Sequence, residues 1–372
     1  TVLGSGFDPT IEQYACSFVL HSDVGLGMNY GDYGKIQSID FVTRSSNVTS
    51  PLSVYSKITC VVPSWLYAAS PVTLMVMRGS ISMSSSWGNA SSFPLLAGWD
   101  SFGNVEDRPA SGGDLILIKG YGFNVSATDY TCRFRRGSDS MQVAGIAKSS
   151  TEMECIAPAW GAEYPASGGN VTVSLMKGDV EMDYTAGGFE SVDCAPSDAA
   201  CSFRFYTTWN STVLLSTGSL HGSAGGGTSL RIDGHGFDIH SRYYCEFRAV
   251  GPQGEAWTTQ SQAVQPSSTT LLTCVTPYWP YAEAYANISI HNHLQDNDKD
   301  HVVKNSGNLA FTFHFLHSFN GMSTSLGPAK GGTMITITGN GFHPNILYSC
   351  RFLSSSIQIQ AFASFVDDTR IT

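Results

Sequence analysis

The stretch GGTSLRIDGHGF, residues 226–237, joins an alternating run to a turn. Leu230 and Ile232 are separated by Arg231 and followed by Asp233, the period-two pattern of a strand with one face buried. Gly234-His235-Gly236-Phe237 then supplies glycines where positive φ carries no steric penalty, and a phenylalanine to anchor in a core. The phrase returns as GGDLILIKGYGF at 112–123 and GGTMITITGNGF at 331–342, and its second half alone as GSGF at 4–7. The turns begin at residues 4, 120, 234 and 339, so the intervals are 116, 114 and 105 residues. That is the length of one sandwich domain rather than of a solenoid repeat.

Downstream of each turn stands Cys-x-Phe, at Cys16, Cys132, Cys245 and Cys350. A second phrase follows in the first three repeats: CVVPSW from Cys60, CIAPAW from Cys155 and CVTPYW from Cys274. The cysteines therefore pair by position, Cys16 with Cys60, Cys132 with Cys155 and Cys245 with Cys274, which leaves Cys194 and Cys201 to each other across a short loop. Cys350 has no mate. Regular pairing of this kind belongs to an oxidising compartment. Six Asn-x-Ser/Thr sequons agree with it: Asn47, Asn89, Asn124, Asn170, Asn210 and Asn287. Asn170 (NVTV) and Asn287 (NISI) read as the same place in successive repeats, just before a strand on a sandwich edge, and are expected to carry N-linked glycans first.

A further alternating strand (VTLMV, VTVSL, ISI) and an aromatic one (FTFHF, Phe311 to Phe315) complete each repeat. Short strands with Gly/Pro punctuation and no helical period predict an all-β chain of sandwiches. The expected boundaries are 1–96, 97–206, 207–315 and 316–372. The first repeat is expected to lack its opening Gly-Gly strand, and the last to be the N-terminal part of a fourth domain. Arg370-Ile371-Thr372 matches in type the Lys57-Ile58-Thr59 before Cys60, so a cysteine is expected to follow Thr372 and to serve Cys350; the alternative is a bond from Cys350 to another chain.

Together the Gly-Gly strand, the G-x-G-F turn and the downstream Cys-x-x-Pro resemble the TIG/IPT family, the immunoglobulin-like domain shared by plexins and certain transcription factors. The resemblance covers nearly the whole chain. Transcription-factor members bind DNA from basic loops and have no disulfides, whereas this chain has a net charge of −10 and only 13% charged residues. It gains nothing from phosphate contacts, which excludes nucleic acid as a partner. The resemblance thus implies the extracellular branch, whose long arrays occur in cell-surface receptors, fibrocystin-like proteins and surface proteins of protists and algae.

Trp65, Trp160 and Trp279, in the Pro-x-Trp loops, either pack on the neighbouring disulfide or serve as contact aromatics toward the next domain or a ligand. Asp296, Asp298 and Asp300 space like half a calcium loop, but His301 and Gly307 stand where glycine and a bidentate glutamate are needed, so a solvated acidic loop is expected. His291 and His293 share a strand face without two further zinc ligands in view. No nucleophile elbow, H-E-x-x-H or phosphate loop is present, no cofactor is implied, and no apolar run is long enough to span a membrane. These features point to a non-catalytic, glycosylated segment of a cell-surface fibre or appendage of the flagellar-hair or matrix type, whose partners are further copies or domains of the same parent chain. The alternative is an adhesion or receptor ectodomain of plexin or fibrocystin type. An accessory module of a carbohydrate-active enzyme would require a catalytic domain elsewhere.

Overall fold

The computed structural model describes residues 2–4, 14–21, 38–44, 47–49, 56–59, 62, 64–78, 81–83, 92–104, 106–188, 190–214, 220–293, 301–306 and 310–372. It is an all-β chain of disulfide-stapled sandwiches in tandem, with a single short helix, Trp160–Glu163, among the described residues.

The second repeat gives the plan. Leu115–Tyr121, the strand after the glycine pair, lies antiparallel between Glu152–Ile156 and Gly98–Phe102. The Cys-x-Phe strand, Tyr130–Arg136, lies between Asp139–Ala147 and Val171–Lys177. Asp139–Ala147 also reaches Glu152–Ile156, so both faces belong to one continuous hydrogen-bonded sheet. Ile116 and Ile118 from one layer and Cys132, Phe134, Val173 and Leu175 from the other fill the core between them. A side-chain period of two leaves their neighbours on the outer faces.

The third repeat repeats the plan with two separate sheets. Leu271–Val275, Ser229–His235, Thr208–Leu214 and Lys304–Asn305 form one. His221–Ser223, Thr312–Leu316, Ala284–His293, Arg242–Val250 and Ala256–Gln260 run in that order across the other. Leu230 and Ile232 are fully buried, as their alternation requires, while Arg231 between them is exposed. The second and third cores are distinct clusters, and a third surrounds Cys16, Phe18 and Val72 in the first repeat.

In the first repeat Val2–Gly4 pairs with Ser56–Thr59, and Tyr14–His21 lies between Ser38–Arg44 and Pro71–Arg78. In the last, Ser318–Met322, Ile337–Asn340, Arg370–Ile371 and Phe365–Asp367 form one sheet, and Tyr348–Leu353 pairs with Gln358–Ala363 in a second. Two details differ from the sequence reading. The run from Gly331 becomes a strand only at Ile337–Asn340, leaving Met334 exposed. The closing aromatic strand is Thr312–Leu316, one residue later than expected.

Three of the four predicted disulfides lie within the described residues: Cys132–Cys155, Cys194–Cys201 and Cys245–Cys274. Cys16 is disulfide-bonded, and Cys60 lies outside the described residues. Cys350 is a half-buried thiol with no mate among the described residues.

Candidate functional site: the joints between repeats

In the second, third and fourth repeats the G-x-G-F turn is fixed from below by a tyrosine two residues before the first cysteine. The backbone N–H that follows the turn's phenylalanine donates to that hydroxyl: Asn124 to Tyr130 at 2.9 Å, Asp238 to Tyr243 at 3.1 Å and His343 to Tyr348 at 2.9 Å. The phenylalanine meets the same ring edge-on, with centroids 6.2, 5.4 and 5.2 Å apart. Burial pushes the Tyr243 and Tyr348 hydroxyls above the usual tyrosine value, so they remain neutral at physiological pH.

The turn's two glycines serve different neighbours. A Cβ on the first one, Gly120, Gly234 or Gly339, would strike the carbonyl of Gly98, Thr208 or Ser318, on the opening strand of its own repeat. The pairing register shifts there in all three cases, so this glycine lets a bulged strand approach. The second glycine has positive φ: 73° at Gly122, 81° at Gly236 and 82° at Gly341. It also faces the preceding repeat, because a Cβ would lie 2.9 Å from Ala69 Cβ, 2.8 Å from both Ala110 and Ala166 Cβ, or 2.9 Å from Ala224 Cβ, respectively. The turn is therefore a socket for the repeat before it.

At the first two joints the loop after Pro-x-Trp enters the socket. Ala69 N–H donates to Gly122 O at 2.9 Å, and Ala166 N–H to Gly236 O at 2.9 Å. Gly236 N–H donates back to Gly161 O at 3.0 Å. Beside these, Ser150 Oγ donates to Leu66 O at 2.7 Å and Thr269 Oγ1 to Ala162 O at 3.0 Å. Ser167 Oγ donates to Asp238 Oδ2 at 2.7 Å. Burial alone would raise the Asp238 carboxyl, but the His240 N–H and the Ser167 and Ser241 hydroxyls outweigh it and hold the group below the usual carboxylate value. In the last joint the Tyr278 hydroxyl donates to the Asp368 carboxylate. Burial, together with that hydrogen bond, raises the Tyr278 hydroxyl well above the ordinary tyrosine value.

Trp160 and Trp279 are wholly buried and do not form the contact surface. Trp279 stacks on Phe315 at 4.5 Å and donates Nε1–H to Ala282 O at 2.8 Å, while Trp160 stacks on Phe205 at 5.5 Å. Half-buried Trp65 donates to Ala68 O at 2.9 Å. Each tryptophan pins its loop to the core, and at the first two joints that loop reaches the next socket.

The sequons are dispersed. Asn210 and Asn287 are exposed, and half-buried Asn124 accepts the Ser126 N–H at 3.0 Å in the turn after Phe123. Asn170 donates Nδ2–H to Pro196 O at 2.8 Å. Asn47 lies in the strand Asn47–Thr49, and Asn89 is outside the described residues. The expected equivalence of Asn170 and Asn287 is corrected by the ladder. Cys132 faces Leu175 and Cys245 faces Ile290, so Tyr285, not Asn287, occupies the place of Asn170. Nor is either on an edge: Asn287 pairs with Arg248 on one side and Thr312 on the other, and the strand after Asn170 also has partners on both sides.

Asp296, Asp298 and Asp300 lie outside the described residues. His291 is occupied by its stack on Tyr244 at 4.9 Å and its bond to Ser289 at 3.0 Å. Among the described residues no group of three His, Cys, Asp or Glu side chains is arranged to hold a metal ion, and no helix is long and apolar enough to cross a membrane.

Residues 106–190 match the IPT/TIG domain family model, and this part of the chain is an IPT/TIG domain. No curated protein matches the chain by sequence. Among solved structures, the plexin A4 extracellular region is similar at 12% identity and TM-score 0.20, over 95% of this chain and 42% of that one. The present chain thus spans less than half of that region. A tetra-tandem repeat from the extending region of a large adhesion protein is similar at 10% identity and TM-score 0.25, over 99% of this chain and 84% of that one. Values this low define no shared arrangement of domains.

Proposed function

We propose that the chain is a non-catalytic, glycosylated spacer segment of an extracellular fibre or surface appendage. In this reading it is divided into IPT/TIG-like domains at 1–96, 97–206 and 207–315, with 316–372 the first part of a fourth. The observation that carries the reading is where its two repeated phrases go. G-x-G-F and the Pro-x-Trp loop meet each other across the first two joints, so the strongest sequence signal is devoted to chaining domains rather than to a pocket. The disulfides support an oxidising, extracellular setting. The last strands of 316–372 repeat the plan of the third repeat, with Ile337–Asn340 and Arg370–Ile371 standing for Ser229–His235 and Leu271–Val275. Electron micrographs of the native material are expected to show regular filaments or thin appendages. Dispersed particles bearing a membrane anchor would replace this reading with a receptor ectodomain.

A further inference from the structure

We propose that a cavity on the second repeat is the seat of an N-acetylhexosamine carried on Asn170. The cavity, about 370 Å³, is of a size to take one small ring, and both residues that define the sequon, Asn170 and Thr172, line it. Its wall includes Gly168 and Gly169, at φ 105° and 100°. A Cβ on Gly169 would meet nothing within 4 Å, so this wall stands open to a flat body. Pro196 and Cys194, in the Cys194–Cys201 loop, supply an apolar surface.

Two guanidinium groups flank the space. Arg136 is fixed, donating to Ser167 O at 2.5 Å and to Asp139 Oδ2 at 3.1 Å while lying over the Trp160 ring. Arg135 is exposed and its side chain makes no hydrogen bond or ion pair among the described residues, which leaves its donors for an acetamide oxygen or sugar hydroxyls. The third repeat offers an internal comparison. At the place of Asn170 stands Tyr285, whose ring lies on His314 with centroids 3.9 Å apart. The third repeat thus carries an aromatic ring at this position, where the second carries an attachment point beside the cavity.

The proposal rests on passage of the chain through a secretory pathway. Attachment follows the usual group transfer from a polyprenyl-diphosphate-linked oligosaccharide. Asn170 Nδ2 bonds to C1 of the first sugar, the C1–O bond to the diphosphate carrier breaks, and one Nδ2 proton is lost with the departing diphosphate. The second Nδ2–H remains to hold Pro196 O, and the longer bond to Ser202 Oγ at 3.5 Å is given up.

The chain, secreted from cells that make high-mannose glycans, would be trimmed with endoglycosidase H to a single sugar per site and mapped by mass spectrometry and hydrogen exchange. We expect Asn170 to be occupied, and residues 168–171 and 194–197 to exchange several-fold more slowly than in Asn170→Gln. Arg135→Ala, a surface change, should abolish that protection while leaving occupancy intact. A bare Asn170 with Asn124, Asn210 or Asn287 occupied overturns the seat but leaves the secretory reading standing. All sequons bare overturns both. An occupied Asn170 with no added protection shows a sugar attached and unseated, and also overturns the proposal.

Discussion

The second and third repeats meet through backbone bonds as well as side chains, whereas the socket of the fourth repeat meets the third through side chains alone. Gly236 both donates to Gly161 O and accepts from Ala166 N–H, so a short backbone ladder crosses that joint. Among the described residues no backbone–backbone bond joins the fourth repeat's G-x-G-F turn to the third repeat. Equivalent positions carry different chemistry. Thr269 and Asp368 both offer their carbonyl to the turn phenylalanine, but Thr269 donates its hydroxyl to Ala162 O, whereas Asp368 accepts from Tyr278. Thr207 donates to Gly236 O at 3.0 Å, while His317, at the matching place, links Glu283 at 3.0 Å to the Tyr348 hydroxyl at 3.3 Å. Glu283 also holds His314 at 2.9 Å. The socket glycine is constant and the ties around it vary. An array can thus keep one spacing while setting the stiffness of each joint separately.

The largest expected effect comes from filling the socket. Gly236→Val places a β-branched side chain at positive φ and against Ala110 and Ala166, at a cost of about 3 kcal/mol or more. Calorimetry should show the second and third repeats unfolding in separate transitions. Gly236→Asn, which tolerates that φ better, should retain more of the third repeat's own stability and still weaken the coupling. The same pair of changes at Gly341 should separate the transitions less, since no backbone ladder is lost. Equal separation at both joints would mean that the backbone ladder adds nothing to the coupling.

Next is Tyr243→Phe. Tyr243 is buried and its loss leaves the Asp238 N–H without its acceptor, an effect of about 1–3 kcal/mol measured by urea unfolding. Tyr348→Phe should cost less, because Tyr348 is only half-buried and water can reach the freed His343 N–H.

The legible parts of the molecule were those fixed by local pattern. Leu230-Arg231-Ile232 announces a strand with one buried face, and the repeated phrases around Cys132, Cys155, Cys245 and Cys274 announce their partners. The tyrosine under the turn is equally visible, as Tyr130-x-Cys132, Tyr243-x-Cys245 and Tyr348-x-Cys350, but the partner of its hydroxyl is set only when the strand folds back beneath the turn. The joints were hidden for a different reason: glycine can be selected for its φ, for its own strand or for a neighbour, and sequence does not separate these. The sequons misled because NVTV and NISI look alike, while strand register is set by pairing across the sheet. A shift of two residues keeps the same face toward the core and is invisible to the apolar pattern.

Tyr278→Phe probes the looser joint. It removes the hydroxyl that donates to Asp368, and on an exposed tie the loss should be about 1 kcal/mol or less. Its signature should be geometric more than thermal: distance distributions between labels on the third and fourth repeats should broaden, while those between the second and third stay unchanged. No broadening would mean that Glu283 and His317 hold this joint without Tyr278.

The smallest effect is a pH trend confined to the tighter joint. The Asp238 carboxyl is held below its usual value by the His240 N–H and the Ser167 and Ser241 hydroxyls, which outweigh the opposing effect of its burial. Its folded value is therefore the lower one, so its contribution is fully present above the unfolded value of about 4 and is lost as pH falls through the folded one. Labels across the second and third repeats should report a stable distance from pH 7 to 5 and progressive loosening below about 4. Asp238→Asn should flatten that dependence, since the neutral amide still offers an oxygen to the His240 N–H but loses the charge that favours both serine hydroxyls. Asparagine already stands at the matching place in the second repeat, where Asn124 accepts the Ser126 N–H, so the turn itself should survive the change. Loosening that persists unchanged in Asp238→Asn would assign the acid sensitivity to another group and leave the joint to its backbone ladder and the Thr269 tie to Ala162 O.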